Sequence, residues 1–418
     1  MVKVKEPVSK RLEASAVLSE LGEKTVLFEK VKESQFRVAG NICISKEAFA
    51  SYFDIKPDQL VRKLVSAIDA PTKPEVVQSG ACQEVVEETV DLDALPILFH
   101  CAQDGGNYLS SGVFIVRDRE YGQNIDFHRA MQIGKDRFAV RVVAHRDLDN
   151  YLKRSNGELD VAVCVGNPLS VLIAAATSVK VNQDEWEIAN SLEPLKLVKA
   201  ETVDVLIPAD CEFVLEGRII KETHSEGPFI DLTETYDIVR EQPVFEVKKI
   251  THRKDAIWHA LLPGKLEHRI LMGMPREPTI FKEVSKVCRC LDVSVNPGGC
   301  SWLHAIVQID KQGGEDGKKA IEAAFLGHKS LKHVFIVDGD INIFDPPQVE
   351  WAMATRFQGD KDLVIKENQI GSSLDPSANP ETKVTTKVGF DLTKPLGEKV
   401  KAFERGEFPK VDLQKYLR

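Results

Sequence analysis

The sequence lacks an apolar run long enough to cross a membrane. The longest, VLIAAATSV at 171–179, falls far short of the roughly 20 residues that a spanning helix needs. The first residues, MVKVKEPVSKRLEAS, have no apolar core after their positive charges, so a secretory signal is not expected either. We therefore expect no membrane partner.

The sequence also has no excess of positive charge, since 55 Lys and Arg face 64 Asp and Glu. The formal net charge is −9, and no arginine-rich block stands out against it. Because general binding to nucleic acid depends on neutralising phosphates with Lys and Arg, a nucleic-acid partner is not expected.

The eight cysteines include no CxxC pair. Cys288 and Cys290 form a CxC, but no second half of a zinc site lies nearby. Most of the others lie in apolar stretches, where a reduced thiol behaves as a small hydrophobic side chain. This usage predicts structural thiols and a cytoplasmic location.

Several common cofactor motifs are missing. GGEDGKK at 313–319 has the wrong glycine spacing for a phosphate loop, and no Ser or Thr follows its lysines. DGDINIFD at 338–345 begins like a calcium loop but has Ile343 and Val349 where Gly and Glu belong. Neither a Gly-x-Gly-x-x-Gly nor a Gly-x-Ser-x-Gly motif is present.

What is present is the pattern of a large globular protein. The 418 residues are 43% hydrophobic and 28% charged, enough for two or three domains. Helix and strand signals alternate at both ends, whereas strand-like runs dominate the middle. We predict a mixed α+β and α/β fold, with an N-terminal α/β domain (1–105), a β-rich central domain (106–265) and a C-terminal α/β domain (266–418).

Three segments of the central domain carry polar side chains that suit a metal ion. QNIDFHRAM offers Asn124, RVVAHRD is predicted to end a strand at His145, and NQDEWEIAN offers Glu185. An amide oxygen, an imidazole and a carboxylate suit Mn²⁺ or Mg²⁺ better than metals that prefer thiolates. Each residue alone also fits a structural role in a turn, a cap or a solvated loop.

Two acids flank a Gly-Pro bend in EGPFIDLTETYD, and Arg129 lies elsewhere in the central domain. On a straight strand Glu226 and Asp231 would face opposite sides, so only a bent loop brings them together. The proline is expected to push Gly227 toward extended geometry. Arg129 beside such a pair could hold one acid ionised while the other delivers a proton. A surface ion pair would explain the same residues without any function.

Several segments resemble the UbiD family of decarboxylases. They are GGNYLSSGVFIVRD, NIDFHRAMQ, LEGRIIKETHSEGPFIDLTETY, PVFEVKKITHRKDAIWHA, FIVDGDINIFDPPQVEWAMATR and SSLDPSANPETKVTTKVGFDLTKP. They occur in the order of the family between about residues 90 and 395. The resemblance implies that the central domain is a split barrel that binds a flavin and that the C-terminal domain forms oligomers.

The resemblance also implies the cofactor and its ligands. Family members use prenylated FMN (prFMN), with Mn²⁺ (or Mg²⁺) against the flavin phosphate and often K⁺ nearby. The metal ligands would be Asn124, His145 and Glu185, with Glu187 as the fallback for the last. The flavin site would comprise Asn124, Ile125, Asp126, Phe127, His128, Arg129, Ala144, His145, Ser178, Val179 and Glu185.

By the same resemblance, the catalytic residues are Arg129, Glu226 and Asp231. Glu226 would pair with Arg129, and Asp231 would protonate the product after a flavin–substrate cycloaddition and loss of CO₂. The sequence departs from the family at Ile230, where Gly is usual, and at LTE, where His-Thr-Gly is common. These departures bear on the shape of the substrate pocket.

The substrate is expected to be a small unsaturated carboxylic acid. The short chain favours the archaeal branch that converts trans-anhydromevalonate 5-phosphate to isopentenyl phosphate in a mevalonate pathway. An aromatic acid such as a 4-hydroxybenzoate derivative, a metal-dependent hydrolase and a non-catalytic flavin carrier are the alternatives. A flavin prenyltransferase would supply the cofactor, and a homodimer or homohexamer is expected.

Overall fold

The computed structural model describes residues 1–179, 183–403, 405–406 and 408–417. The helices in these ranges are α1 Glu13–Leu21, α2 Lys46–Tyr52, α3 Leu60–Asp69, α4 Asp147–Arg154, α5 Leu169–Ala176, α6 Glu185–Leu192, α7 Leu266–Gly273, α8 Glu277–Ser285, α9 Asp316–Gly327 and α10 Pro346–Arg356. None of the described helices is long and apolar enough to cross a membrane.

The strands alternate with these helices at both ends of the chain and cluster in the middle. They are β1 Val2–Val4, β2 Val26–Phe28, β3 Arg37–Gly40, β4 Glu75–Val77, β5 Val85–Val86, β6 Tyr108–Leu109, β7 Val113–Asp118, β8 Gly122–Phe127, β9 Ala130–Gln132, β10 Arg137–Val140, β11 Leu159–Val165, β12 Lys196–Lys199, β13 Leu206–Pro208, β14 Phe213–Glu226, β15 Phe229–Ile230, β16 Tyr236–Asp237, β17 Arg240–His252, β18 Ile257–His259, β19 Arg289–Val295, β20 His304–Asp310, β21 His333–Asp338, β22 Leu363–Ile370 and β23 Val384–Asp391.

The central sheet positions the site. Its strands pair in the order β6-β9-β10-β17-β14-β11-β7-β8, and β5 pairs with β17. Strands β8 and β9 lie near opposite ends of this order, yet only His128 and Arg129 join them. Two residues span at most about 10 Å. The sheet therefore curls until its ends come close, without β8–β9 pairing in the described residues.

Strand β7 explains why this sheet is buried on both faces. Phe114 and Val116 pack into one apolar cluster, whereas Val113 and Ile115 pack into another. Side chains alternate between the faces of a strand, so a continuous apolar run fills both clusters.

Two further sheets bracket the central one in the sequence. The first has the order β1-β2-β3-β18, and so joins the N-terminal segment to Ile257–His259. The other, β19-β20-β21-β23-β22, combines parallel and antiparallel pairs and carries α8 and α9 against it. The mixed fold class is as predicted. The boundaries near residues 105 and 265 stay a prediction.

Candidate functional site

The bend between the two acids follows the long strand β14, which ends at Glu226. Gly227 has φ +106°, so the expected extended geometry is wrong. Glycine is suited to this conformation because it has no Cβ, and a Cβ here would approach the Ile238 carbonyl oxygen to 3.1 Å. The Gly105 amide donates to the Pro228 carbonyl at 2.8 Å and so fixes the bend from outside.

Arg129 forms hydrogen bonds with Glu226 and Asp231 on either side of the bend, and with a third acid. Its Nε and Nη2 donate to Glu226 Oε1 and Oε2 at 2.9 and 3.2 Å, a bidentate pair. Nη1 donates to Asp231 Oδ2 at 3.3 Å, and Nη2 also reaches Asp237 Oδ2 at 2.9 Å. We call these four residues the acid–arginine cluster. The loop thus brings Glu226 and Asp231 to one guanidinium, as the sequence suggested.

Burial gives this cluster its rigidity. Glu226 is fully buried, and the Arg129 side chain is only 10% exposed. Tyr108 donates its hydroxyl to Glu226 Oε1 at 3.0 Å, and the Phe229 ring lies 4.8 Å from the Arg129 guanidinium carbon. A buried charge is tolerated only when it is paired and hydrogen-bonded, so each member depends on the others.

Asp237 is a member that the sequence analysis missed. It lies on β16 and also pairs with Arg240 at 2.7 Å. Burial opposes its ionisation, but the hydrogen bond from Arg240 and the charge of Arg129 lower the pKa of Asp237 to about 2. Asp237 is therefore an ionised anchor for Arg129 near neutral pH.

Asp231 is the most accessible acid of the cluster, with 24% of its side chain exposed. Its Oδ1 accepts from the Leu232 amide at 2.7 Å, which leaves Oδ2 toward Arg129. Burial lowers the pKa of the neighbouring His268 on α7, although the charge of Asp231 opposes this. The His268 Nδ1 accepts from the Gly264 amide at 3.0 Å, as in a neutral ring that carries its proton on Nε2.

The divergent residue Ile230 packs beside this helix. Its Cγ2 would lie 3.2 Å from a Cβ on Gly264. The Ile230 side chain thus fills space beside Gly264, just before α7 and next to Asp231 in the chain.

A second polar feature, which we call the polar cavity, has a volume of about 380 Å³. Asn124 on β8, Asp147 at the start of α4 and Glu185 at the start of α6 line it. Val179 lines the cavity as well, whereas the adjacent residue Ser178 does not. The structure thus brings Asn124 and Glu185 together.

The polar cavity holds acids in surroundings that disfavour their charge. Burial, followed by the charges of Asp184 and Asp126, raises the pKa of Glu185 to about 8. Burial and Asp126 also raise the pKa of Asp147. The Asn124 Nδ2 atom is buried and has no hydrogen-bond partner among the described residues. A divalent cation at the acids and a hydrogen-bond acceptor at the Asn124 amide would offset these costs, because the basic residues that line the cavity, Lys153 and Arg154, pair instead with Asp149, Asp118 and Glu120.

His145 lies elsewhere than expected. Strand β10 ends at Val140, so the prediction that His145 ends a strand is wrong. His145 is exposed with φ +64°, its amide donates to Asp149 Oδ2 at 2.7 Å, and its side chain does not line the cavity. The loop 141–146 turns into α4 instead of extending β10, and Asp147 faces the cavity. The assignment of His145 as a ligand stays a prediction.

The remaining candidates surround these two features. Asp126 and His128 are on the same face of β8 as Asn124, with the His128 Nε2 and Asp126 Oδ1 atoms 2.8 Å apart. Ile125 and Phe127 point the other way, into an apolar cluster. Ala144 is exposed beside His145, and Glu187 is only partly buried. Because Glu185 is buried and lines the polar cavity, whereas Glu187 does not line it, Glu185 is favoured over Glu187 as the metal ligand.

The comparisons with known proteins support one family. Models of the 3-octaprenyl-4-hydroxybenzoate carboxy-lyase family match its N-terminal domain at residues 1–68, its Rift-related domain at 75–266 and its C-terminal domain at 269–392. The anhydromevalonate phosphate decarboxylase of Methanothermobacter thermautotrophicus is 42% identical over 97% of both chains. The chain belongs to the UbiD family.

Solved structures of UbiD-class enzymes have the same fold. HmfF from Pelotomaculum thermopropionicum, in complex with FMN, superposes with a TM-score of 0.95 at 35% identity, covering 99% of this chain and 96% of that one. An evolved dimeric form of HmfF in complex with prFMN gives 0.91 at 34% identity, covering 99% and 96%. The predicted family and fold class are confirmed, and the chain is a carboxy-lyase by family.

Proposed function

We propose that this UbiD protein decarboxylates trans-anhydromevalonate 5-phosphate with prFMN and releases isopentenyl phosphate. The observation that carries the proposal is the 42% identity with an anhydromevalonate phosphate decarboxylase, which extends over the segments of both the acid–arginine cluster and the polar cavity. The flavin-bound HmfF structures support the cofactor. In the reaction, the bond between the carboxyl carbon and the adjacent alkene carbon breaks, and a proton takes the place of CO₂.

The residues of the cluster divide this work. Asp231, the accessible acid, delivers the proton to the carbon that loses CO₂. Arg129 and Glu226 fix the position of Asp231, because the bidentate pair prevents the guanidinium from turning. When bound, prFMN supplies the electrophilic and nucleophilic ring positions that activate the substrate double bond.

The polar cavity fits the flavin phosphate and a divalent cation. The buried carboxyl of Glu185, the exposed carboxyl of Asp147 and the amide of Asn124 offer hard oxygen donors that suit Mn²⁺ or Mg²⁺. No group of three or more His, Cys, Asp or Glu in the described residues can hold a metal by itself, so phosphate oxygens would complete the set. We propose Asn124, Asp147 and Glu185 as the protein ligands, with Asp147 in the place first expected for His145.

Four further expectations belong to this proposal. A flavin prenyltransferase supplies the cofactor, and the protein works in the cytoplasm as a homodimer or homohexamer. The potassium ion expected beside the flavin also stays a prediction.

Turnover tests the substrate. Protein co-expressed with a flavin prenyltransferase is expected to release CO₂ from anhydromevalonate phosphate and to leave 4-hydroxybenzoate unchanged, as followed by product analysis. The reverse preference would establish the aromatic alternative. Hydrolysis by flavin-free protein would establish the hydrolase, and flavin binding without turnover of either acid would indicate a carrier.

A further inference from the structure

The turn that carries Asp231 is closed by two backbone hydrogen bonds. It runs from residue 231 to residue 235, between β15 and β16, and we call it the Asp231 turn. The Asp231 amide donates to the Thr235 carbonyl at 3.0 Å, and the Glu234 amide donates to the Asp231 carbonyl at 2.9 Å. The position of Asp231 therefore depends on where this tight turn lies.

Glu234 has a backbone conformation that its residue type disfavours. Its φ is +60°, in the left-handed region, where a Cβ is crowded and glycine or asparagine is preferred. Such a conformation costs free energy and persists only where surrounding contacts compensate for it. The Glu234 side chain is therefore expected to form contacts that hold it there.

These contacts connect the turn to α7. The Glu234 Oε1 atom accepts a hydrogen bond from Lys265 Nζ at 2.9 Å and lies 3.3 Å from Arg269 Nη2. Lys265 directly precedes α7, and Arg269 lies four residues further on, so both cations are on one face of the helix start. The hydrogen bond from Lys265 and the charge of Arg269 outweigh partial burial and lower the pKa of Glu234, which is therefore ionised near neutral pH.

The start of α7 also lies directly against the turn. A Cβ on Gly264 would approach the Asp231 carbonyl oxygen to 3.0 Å and the Glu234 Cγ to 3.2 Å. Between these two acids, the Leu232 side chain is fully buried and packs in one apolar cluster with Trp302. The turn thus has an apolar anchor at Leu232 and an ionic anchor at Glu234.

Asp231 depends on this support more than Glu226 does. Glu226 is fully buried, and two nitrogen atoms of Arg129 bind it at 2.9 and 3.2 Å. Asp231 is 24% exposed, and Arg129 binds it at 3.3 Å. A proton donor must lie within hydrogen-bond reach of the reacting atom, and small displacements reduce the rate. The anchors of the turn therefore bear on the orientation of Asp231.

We propose that Glu234 is a positioning residue for the decarboxylation. Its ion pairs with Lys265 and Arg269 fix the Asp231 turn against α7 and so orient Asp231 toward the reacting carbon. The catalytic role of Asp231 in this inference rests on the proposed function, whereas the ionic anchor of the turn does not.

Kinetics distinguish positioning from a structural role. In flavin-loaded protein, Glu234→Gln should lower kcat for anhydromevalonate phosphate about 3- to 10-fold and leave KM unchanged, because two partly exposed ion pairs contribute about this factor. Glu234→Gly should lower kcat as much but melt no lower than Glu234→Gln, since glycine adopts the left-handed conformation without a Cβ. An unchanged kcat in both variants would leave Glu234 only a structural role and overturn the inference.

A conservative change of the partner should rescue the rate. Lys265→Arg keeps a cation that can reach Glu234 and should retain kcat, whereas Lys265→Met should lower it. The double variant Glu234→Gln/Lys265→Met should be about as slow as Glu234→Gln alone, because both changes remove the same pair. Additive losses in the double variant would show that Lys265 acts independently of Glu234 and would refute the pairing.

Amide hydrogen exchange measures the turn itself, without turnover. In flavin-loaded protein, the amides of Asp231 and Glu234 should exchange about 3- to 10-fold faster in Glu234→Gln than in the wild type, relative to their intrinsic rates, because the turn opens more often. Glu13→Gln is the matched control, since Glu13 on α1 is also about half exposed and pairs with Lys32 at 2.8 Å. This control should match the wild type in both exchange and kcat.

The exchange data keep this inference separate from the proposed function. Unchanged exchange in Glu234→Gln would refute the ionic anchor, whatever the substrate is. Faster exchange in the variant of a protein that turns over no unsaturated acid would retain the anchor but refute the decarboxylation, and with it the role of Glu234 in that reaction.

Discussion

The acid–arginine cluster and the polar cavity differ in how their charges are matched. In the cluster, Arg129 has three carboxylate partners at 2.9–3.3 Å and is complete without any ligand. In the cavity, Glu185 is buried beside other acids and the amide of Asn124 is unpartnered. The first arrangement is organised in advance, and the second is organised to receive a bound group.

Under the proposed function, this difference separates two tasks of one enzyme. A proton donor must be held at a fixed place before the substrate arrives, which a saturated ion-pair network achieves. A cofactor site must bind its ligand favourably. Acids without a cationic partner are stabilised most by a bound cation, and an amide N–H without an acceptor is stabilised most by a phosphate oxygen. The comparison therefore predicts that mutations in the acid–arginine cluster change turnover and stability, whereas mutations in the polar cavity change cation binding.

Removing the central arginine of the acid–arginine cluster should have the largest effect. Arg129→Ala leaves Glu226 buried without its cation, so turnover should fall at least about 1,000-fold, and the free energy of unfolding by about 3 kcal/mol or more. Turnover assays and urea denaturation measure these. Arg137→Ala, which removes a half-exposed arginine paired with Glu222 and Glu246, is the control and should change neither greatly. Normal turnover by Arg129→Ala would remove Arg129 from the mechanism.

Mutations in the polar cavity should instead change the affinity for the divalent cation. Asp147→Asn is expected to weaken Mn²⁺ binding by flavin-loaded protein about 100-fold, because a direct ligand should matter at least as much as an outer-sphere partner. His145→Asn should weaken it little, since that side chain is exposed outside the cavity lining. Calorimetric titration with Mn²⁺ compares the two variants. The opposite ranking would restore His145 as the ligand.

A smaller effect concerns the pH dependence of stability, which depends on His100 beside the acid–arginine cluster. His100 packs edge-on against Phe229, and burial lowers its pKa to about 3. An unfolded histidine has a pKa of about 6.5, so between these values the unfolded state binds more protons and acid destabilises the fold. From pH 7 to pH 5 this histidine should cost about 2 kcal/mol of unfolding free energy.

Urea denaturation at both pH values measures that cost. His100→Gln should lose about 2 kcal/mol less between pH 7 and pH 5 than the wild type does. His224→Gln, at an exposed position, should match the wild type. An unchanged pH dependence in His100→Gln would mean that the pKa of His100 is the same in the folded and unfolded states.

Arg129, Glu226 and Asp231 meet as the sequence suggested, whereas His145 lies outside the lining of the polar cavity; the roles of all four residues stay predictions. Arg129, Glu226 and Asp231 were found because they recur in family motifs, and the Gly-Pro bend indicated that the two acids could meet. Asp237 was missed because its role depends on the turn after Asp231, which returns β16 toward Arg129. No local pattern reports such a return.

The wrong prediction of a strand end at His145 has a physical cause. RVVAHRD has the apolar content of a strand, but the chain leaves β10 at Val140 and turns into α4. Which of His145 and Asp147 faces the cavity depends on that turn and not on the motif. The fold class, in contrast, followed from long periodic segments such as β11 and α9, whose patterns are clear without tertiary context.

The most direct test of the account compares the rate of CO₂ release from anhydromevalonate phosphate by the flavin-loaded wild type and by Asp231→Asn. Asparagine keeps the size and an acceptor oxygen for Arg129 but has no acidic proton. The account predicts a rate about 1,000-fold lower with the flavin absorbance retained. Equal rates in the two proteins would contradict the assignment of Asp231 as the proton donor.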